Sequence, residues 1–269
     1  MIHNIQNHTA YIHQLNVHYA QKQVLFDINI NNLQAGKLIG LIGPNASGKS
    51  TLFKALAGII KSQGDVVVNQ QSLAKTPAKL WSQTVGMMPQ QYSVYIALKV
   101  FDSVLLALKS NTNWRVKEEE LQFVEKTLIS LNINHLAERQ IYELSGGQQQ
   151  MVAMARLLVR KPPMILFDEP TSALDLKHQL ASMQTIKNIT QQQGIISIIA
   201  LHDLNLAAAF CDRVLLLKRG RLVLDDSPQQ VLSHPILESV YDVNIQLEKT
   251  QRNTLFVDAF LKKESQIIP

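Results

Sequence analysis

An octapeptide, Gly-Pro-Asn-Ala-Ser-Gly-Lys-Ser at residues 43–50, constrains this chain more than any other feature of its sequence. It fits the pattern G-x-x-x-x-G-K-[S/T], whose backbone N–H groups enclose phosphate oxygens at the start of a helix. The apolar run Leu38–Ile42 precedes it, and a helical pattern from Gly48 to Ala57 follows. Because strand, glycine loop and helix occur in the required order, a phosphate-binding loop is favoured over a glycine turn with a surface lysine.

The residue types of the loop predict how it would hold a nucleotide with Mg²⁺. Lys49 would reach the β- and γ-phosphates, the Ser50 hydroxyl would coordinate Mg²⁺, and Thr51 would bond an α-phosphate oxygen. The predicted nucleotide-binding residues of the loop are Gly43, Pro44, Asn45, Ala46, Ser47, Gly48, Lys49, Ser50 and Thr51. Ala46 would be unfavourable there if the backbone needs a positive φ.

A second apolar run, Met164–Phe167, ends in two acids, Asp168 and Glu169. Acids that end a buried strand often cap a helix, but a parallel sheet would place these beside the phosphate loop. Asp168 is then predicted to hold Mg²⁺, directly or through water. Glu169 is predicted to polarise the water that attacks the γ-phosphate.

Composition excludes several classes of protein. Of the 269 residues, 46% are hydrophobic and 17% are charged, which is typical of a folded chain rather than a disordered one. No apolar stretch approaches the roughly 20 residues of a membrane helix, and no secretory signal is readable, so we expect a cytoplasmic location. The single cysteine, Cys211, excludes an internal disulfide framework. A formal charge of +5 permits an anionic partner without selecting one.

Apolar periodicity predicts an α/β fold. Alternation in residues 11–17 and 24–30 predicts antiparallel strands, whereas residues 94–160 are mostly of helical period. From Met164 onward, buried strands and helices alternate, with strands at 195–201 and 214–217 and helices at 175–192 and 204–210. This order predicts a parallel sheet covered on both faces and interrupted by a helical insertion.

A second anion site is predicted at Leu-Ser-Gly-Gly-Gln, just before a long apolar-faced helix. Helix capping explains the serine but not the two glycines. This segment resembles the signature of ATP-binding-cassette (ABC) ATPases, and further cassette motifs occur in order along the chain. The signature residues, which the resemblance assigns to nucleotide binding, are Leu144, Ser145, Gly146, Gly147 and Gln148.

The resemblance gives four further segments a role. Tyr19 matches the aromatic residue that stacks on adenine. Gln90, in Met-Pro-Gln, matches the glutamine that joins metal and water to the helical insertion, and His202 matches the histidine that contacts the γ-phosphate. The segment 172–175 resembles the loop that crosses the dimer interface. With Lys49 and Glu169, Gln90 and His202 complete the predicted catalytic set, and Ser50, Gln90 and Asp168 form the predicted metal set.

The same resemblance implies an assembly. Two copies would face head to tail, each ATP lying between the phosphate loop of one and the signature of the other, and the dimer would serve two membrane permease subunits. The implied division is one cassette over 1–269: an ATPase core with a β subdomain at about 11–92 and 161–243, a helical subdomain at about 93–160, and a short extension at 244–269.

Absent features narrow the kind of cassette. The chain lacks the long coiled-coil insertion of chromosome-type members and the second cassette of translation-type members. A transport ATPase on the cytoplasmic face of the inner membrane, with no nucleic acid as partner, is therefore expected. A soluble ATPase acting on nucleic acid is the rival reading. Docking of the permease is expected around 91–109, where core packing is the alternative.

The segments around 171–180 and 200–207 resemble importers of iron chelates, haem and cobalamin. Iron(III)-siderophore is the first expectation for the cargo, with haem and cobalamin as alternatives. A separate substrate-binding protein would be an indirect partner.

Overall fold

A computed structural model describes residues 8–90, 97–109, 115–172, 174–250 and 255–262. Its strands, in chain order, are β1 Thr9–Tyr19, β2 Lys22–Gln34, β3 Leu38–Ile42, β4 Gln63–Val68, β5 Gln71–Ser72, β6 Val85–Met88, β7 Met164–Asp168, β8 Ile196–Ala200, β9 Arg213–Lys218, β10 Arg221–Asp226, β11 Val243–Lys249 and β12 Leu255–Leu261. Its α-helices are α1 Lys49–Leu56, α2 Ala78–Thr84, α3 Val100–Lys109, α4 Glu118–Ser130, α5 Gly146–Leu158, α6 Leu176–Gln193, α7 Leu204–Phe210, α8 Pro228–Leu232 and α9 Ile236–Tyr241. Short 3₁₀ turns lie at Asn134–Leu136 and Ile141–Glu143.

The central sheet has six strands in the order β10-β9-β3-β8-β7-β6. All neighbours are parallel except β9 and β10, which form an antiparallel hairpin at one edge. A second sheet, β2-β1-β4-β5, is antiparallel throughout. The predicted α/β fold with a parallel sheet and an antiparallel pair is confirmed.

Period-two alternation of buried side chains explains why the central sheet is covered on both faces. In β9, Val214 and Leu216 join the core that contains α5 and α7, whereas Leu215 and Leu217 join the core that contains α1 and the antiparallel sheet. The other parallel strands divide their side chains in the same way. Strands buried on two faces must be apolar throughout, which is why they read as continuous apolar runs.

Most predicted elements lie within two residues of their observed bounds. The helix predicted at 175–192 begins one residue later because Asp175 is its N-cap and accepts a hydrogen bond from the His178 N–H at 2.9 Å. The extension predicted after residue 243 contains the β11–β12 hairpin, which the sequence reading did not foresee. Asn205 of α7 fixes it, donating to the Val257 carbonyl and accepting from the Val257 N–H. The subdomain boundaries themselves stay a prediction.

The predicted site residues lie together because of the sheet order. The phosphate loop follows β3, His202 follows β8, Asp168 ends β7 and Gln90 follows β6. These four parallel strands are consecutive neighbours, so their carboxyl ends form one edge of the sheet, where open α/β sheets bind ligands.

Candidate functional site

Two positions of the phosphate loop, Gly43 and Gly48, leave no room for a side chain. Gly43 has φ +151°, and a Cβ on it would lie 2.2 Å from the carbonyl oxygen of Leu217. Gly48, at the N-cap of α1, has φ +111°, and a Cβ there would lie 2.9 Å from a methyl carbon of Leu25. Ala46 has φ +60°, so the unfavourable conformation that the sequence raised for this position is present. A left-handed alanine costs about 1 kcal/mol, which the surrounding loop must offset.

Lys49 begins α1 and folds back over the loop. Its Nζ donates to the carbonyl oxygens of Gly43 at 2.8 Å and Pro44 at 3.3 Å, and the residue is 5% exposed. Burial lowers the pKa of the Lys49 ammonium, while the charges of Glu169 and Asp168 oppose that shift. A buried cation that donates to carbonyl oxygens is suited to exchange them for phosphate oxygens.

Ser50 and Asp168 form the pair that the sequence predicted for Mg²⁺. The Ser50 hydroxyl donates to Asp168 Oδ1 at 3.2 Å, and Asp168 is 5% exposed. Burial raises the pKa of the Asp168 carboxyl, the Ser50 hydrogen bond opposes this, and the nearby charge of Glu169 raises the pKa further. Hydroxyl and carboxylate oxygens suit Mg²⁺, and a cation would relieve the desolvation of this carboxylate. The donor set therefore fits the predicted metal.

Glu169 connects two other predicted residues across three neighbouring strand ends. One carboxylate oxygen accepts from Gln90 Nε2 at 2.6 Å, and the other contacts His202 Nε2 at 2.5 Å. The Glu169 side chain is only 12% exposed, and its backbone φ is +51°, a conformation that non-glycine residues rarely adopt. Asp168 and Glu169 thus point to different partners, as predicted, and the backbone strain lies at the carboxylate proposed for catalysis.

An open cavity of about 760 Å³ covers the phosphate loop. It is lined by Asn45 to Thr51 of the loop and by Glu169. Tyr19 is not among the described lining residues, but it pairs in register with Lys22, which is, and it is 45% exposed. The adenine-stacking role of Tyr19 stays a prediction.

Sequence reasoning missed one wall of this cavity. The remaining lining residues belong to the start of β2 and to the β9–β10 turn: Lys22, Gln23, Val24, Phe26, Arg219, Gly220 and Arg221. The signal in the sequence was the Lys-Arg-Gly-Arg segment at 218–221. It places three cationic residues around a glycine turn between two apolar strands.

The signature forms the N-terminus of α5. Ser145 is the N-cap, its hydroxyl accepts from the Gln148 N–H at 3.4 Å, and the Gln148 side chain accepts from the Ser145 N–H at 3.1 Å. This capping box explains Ser145 by helix capping alone, without a ligand. The two glycines that follow it place their N–H groups at the start of the helix. A Cβ on Gly146 would meet no atom within 4 Å, so packing within the chain does not require that glycine. None of the described lining residues of the cavity comes from 144–148.

Ser172 and Asp175 belong to the segment that the resemblance assigns to the dimer interface, and Ser172 contacts Glu169 of the same chain. Ser172 Oγ donates to the carbonyl oxygen of Glu169 at 3.1 Å, and Asp175 caps α6. Ala173 and the predicted docking residues 91–96 lie outside the described part of the chain. No helix that the structure describes has the length and hydrophobicity needed to cross a membrane.

Comparisons with known proteins identify the family of this chain. A family model described as ABC transporter matches residues 26–172. The petrobactin import ATP-binding protein FpuC of Bacillus anthracis is 31% identical over 252 residues, covering 92% of this chain and 93% of that protein. The hemin import ATP-binding protein HmuV of Pseudomonas fluorescens (strain Pf0-1) is 36% identical over 239 residues, covering 87% and 92%.

A solved structure described as a metal-chelate type ABC transporter in an inward-facing conformation superposes with a TM-score of 0.81 at 27% identity, covering 95% of this chain and 99% of that one. The phosphate loop, the two acids and the cassette signature all lie inside the segment that the family model matches. The chain therefore belongs to the ABC transporter family, as an ATP-binding subunit that hydrolyses ATP.

Proposed function

We propose that this subunit hydrolyses ATP with Glu169 as general base and thereby powers import of an iron chelate through a separate permease. The observation that supports the catalytic part is the position of Glu169, which lines the cavity of the phosphate loop and contacts both Gln90 and His202. A carboxylate fixed by two side chains can accept a proton from a water held beside it.

The other residues would bind and orient the nucleotide. Lys49 would exchange the carbonyl oxygens of Gly43 and Pro44 for phosphate oxygens, and the loop N–H groups would enclose the same phosphates. Ser50, Asp168 and Gln90 would hold Mg²⁺, which when bound neutralises charge on the phosphates. His202 would orient Glu169 and contact the γ-phosphate, as the resemblance implies.

The signature would complete the site of a second copy. Its glycine N–H groups and the N-terminal end of α5 are suited to an anion, yet the described lining of the cavity in the same chain contains none of its residues. A head-to-tail dimer would bring the signature of one copy to the phosphate loop of the other. Binding of ATP would then close the dimer, and hydrolysis would release it.

The permease would dock on a groove of about 290 Å³ beside the site. The groove lies between β6, α3 and α5, and its lining includes Met88, Pro89, Leu106 and Leu157. Leu106 is 42% exposed, so it offers the groove an apolar side chain that a docked segment could cover. Pro89 precedes Gln90, so a shift of a docked segment would reach Glu169 through one residue and one hydrogen bond.

The names of the relatives support the cargo. One relative is named for petrobactin import and the other for hemin import, and both match this chain over most of its length. An iron(III)-siderophore is the first proposal, with haem or cobalamin as the alternative. The subunit would lie on the cytoplasmic face of the inner membrane, with a substrate-binding protein as an indirect partner and no nucleic acid.

Affinity purification from membranes tests the docking and the transport role together. Leu106→Glu places a charge in the groove, and Ile129→Glu is the matched control, because Ile129 is exposed on α4 away from the groove. Leu106→Glu should lose the permease and iron-chelate uptake while the purified subunit still hydrolyses ATP, and the control should keep all three. Recovery of RNA or DNA in place of a permease would favour the soluble rival. Loss of folding in Leu106→Glu alone would favour the core-packing alternative for this segment.

A further inference from the structure

The β9–β10 turn packs against the phosphate loop. Arg219 and Gly220 connect Lys218 to Arg221, and both have positive φ, +47° and +75°. This is the pattern of a type I′ hairpin turn, in which the second position favours glycine. A Cβ on Gly220 would lie 1.9 Å from the Val24 carbonyl oxygen, so no larger residue fits.

Two backbone hydrogen bonds fix this turn between the phosphate loop and β2. The Gly220 N–H donates to the Ser47 carbonyl at 2.8 Å, and the Phe26 N–H donates to the Gly220 carbonyl at 2.9 Å. These two bonds fix the backbone of the turn, so the two arginines that flank Gly220 start from a defined position beside the phosphate loop. Both line the cavity that covers the phosphate loop.

The charges of the cavity lining are unbalanced. Four of the described lining residues are cationic and one is anionic: Lys22, Lys49, Arg219 and Arg221 against Glu169. Arg221 lies over the Phe26 ring, with its guanidinium carbon 4.7 Å from the ring centre. Within the described residues, neither Arg219 nor Arg221 forms an ion pair with a carboxylate.

We propose that Arg219 and Arg221 bind the phosphates of the nucleotide, as a second cationic wall in addition to Lys49. The inference rests on the proposed use of this cavity for ATP. Stacking on Phe26 orients the guanidinium of Arg221, and planar guanidinium groups donate well to phosphate oxygens. The turn then has two functions, since Gly220 supports the loop and the arginines hold its ligand.

Binding measurements with a series of nucleotides test this assignment on the full-length protein. The double variant Arg219→Gln/Arg221→Gln removes two charges from the wall. Loss of each exposed arginine contact should weaken ATP binding by roughly 3-fold, so the double variant should bind ATP about 10-fold more weakly. AMP, with one phosphate, should lose less affinity than ATP, and added salt should weaken ATP binding less in the variant than in the wild type.

Two further variants make the comparison specific. Lys75→Gln/Arg139→Gln changes the net charge equally with exposed residues that do not line this cavity, and it should bind ATP like the wild type. Arg219→Lys/Arg221→Lys keeps both charges and should recover part of the ATP affinity. Melting temperatures should stay close together across the set, because the side chains are exposed.

Wild-type ATP affinity in the double glutamine variant would overturn the inference, as would equal losses for ATP and AMP. Lys49→Ala, measured in the same assay, separates the two proposals. If Lys49→Ala loses ATP and the double variant does not, only the role of the arginines fails. If Lys49→Ala also binds ATP normally, the cavity is not the nucleotide site and both proposals fail.

Discussion

Replacing Glu169 with glutamine changes one carboxylate oxygen to an amide nitrogen at the centre of the proposed chemistry. In the wild type, the two oxygens contact Gln90 Nε2 at 2.6 Å and His202 Nε2 at 2.5 Å. The amide has one oxygen and one NH₂ group, so it can accept from one partner only. His202 can adopt the tautomer that accepts from the new NH₂ group, so the contacts can be kept with little cost to the fold.

The kinetic effect should be far larger than the structural one. An amide cannot take a proton from water at neutral pH, so general-base catalysis is lost. A loss of about 10² to 10⁴ in rate corresponds to roughly 3 to 5 kcal/mol in the barrier. Binding of ATP should persist, because Lys49 and the Ser50–Asp168 pair are unchanged. ATP-bound dimers should therefore accumulate.

Three measurements check this prediction. Phosphate release gives the rate of hydrolysis, equilibrium binding gives the affinity for ATP, and size-exclusion chromatography with and without ATP gives the dimer fraction. Glu125→Gln is the control, since it removes an exposed carboxylate on α4 away from the cavity. Wild-type turnover in Glu169→Gln would refute the role of Glu169 as base. A loss of ATP binding equal to that of Lys49→Ala would refute the separation of binding from catalysis.

Three further predictions follow from the geometry of the site. Gly43→Ala should destabilise the protein and weaken ATP binding, because its Cβ would lie 2.2 Å from the Leu217 carbonyl oxygen, whereas Gly146→Ala, with no atom within 4 Å, should leave the melting temperature nearly unchanged; equal melting temperatures would contradict this. Asp168→Asn should abolish Mg²⁺-dependent hydrolysis without lowering the melting temperature at pH 7. Burial raises the pKa of the Asp168 carboxyl in the folded state, so the ionised carboxylate opposes folding at a pH above that pKa. The contribution of Asp168 to the stability of the wild type therefore rises as the pH falls. A melting temperature several degrees lower in Asp168→Asn would count against that sign. In a purified heterodimer of Lys49→Ala and Ser145→Arg, one composite site is intact and should bind ATP tightly, although each homodimer is defective; no recovery in a verified heterodimer would exclude the head-to-tail arrangement.

The sequence by itself determined the parts of the protein that local chemistry specifies. The phosphate loop could be located because its glycines, lysine and serine must occur at a fixed spacing within one short segment, with a strand before it and a helix after it. Continuous apolar runs identified the parallel strands, because strands covered on two faces have no polar side. The acids at 168 and 169 could be predicted to lie near the phosphate loop, since parallel strands end at one edge of a sheet.

Tertiary structure decided which distant segments meet. The sequence gives no local reason for Gly220 to contact Ser47, because the hydrogen bond depends on the neighbouring positions of β9 and β3 in the sheet. For this reason, the sequence did not identify Arg219 and Arg221 as residues that line the cavity. Similarly, Asn205 of α7 fixes the C-terminal hairpin through Val257, a contact between residues 52 positions apart. Patterns in sequence report the periodicity of single elements, whereas the packing between elements depends on shape and on hydrogen-bond partners that only the folded chain brings together.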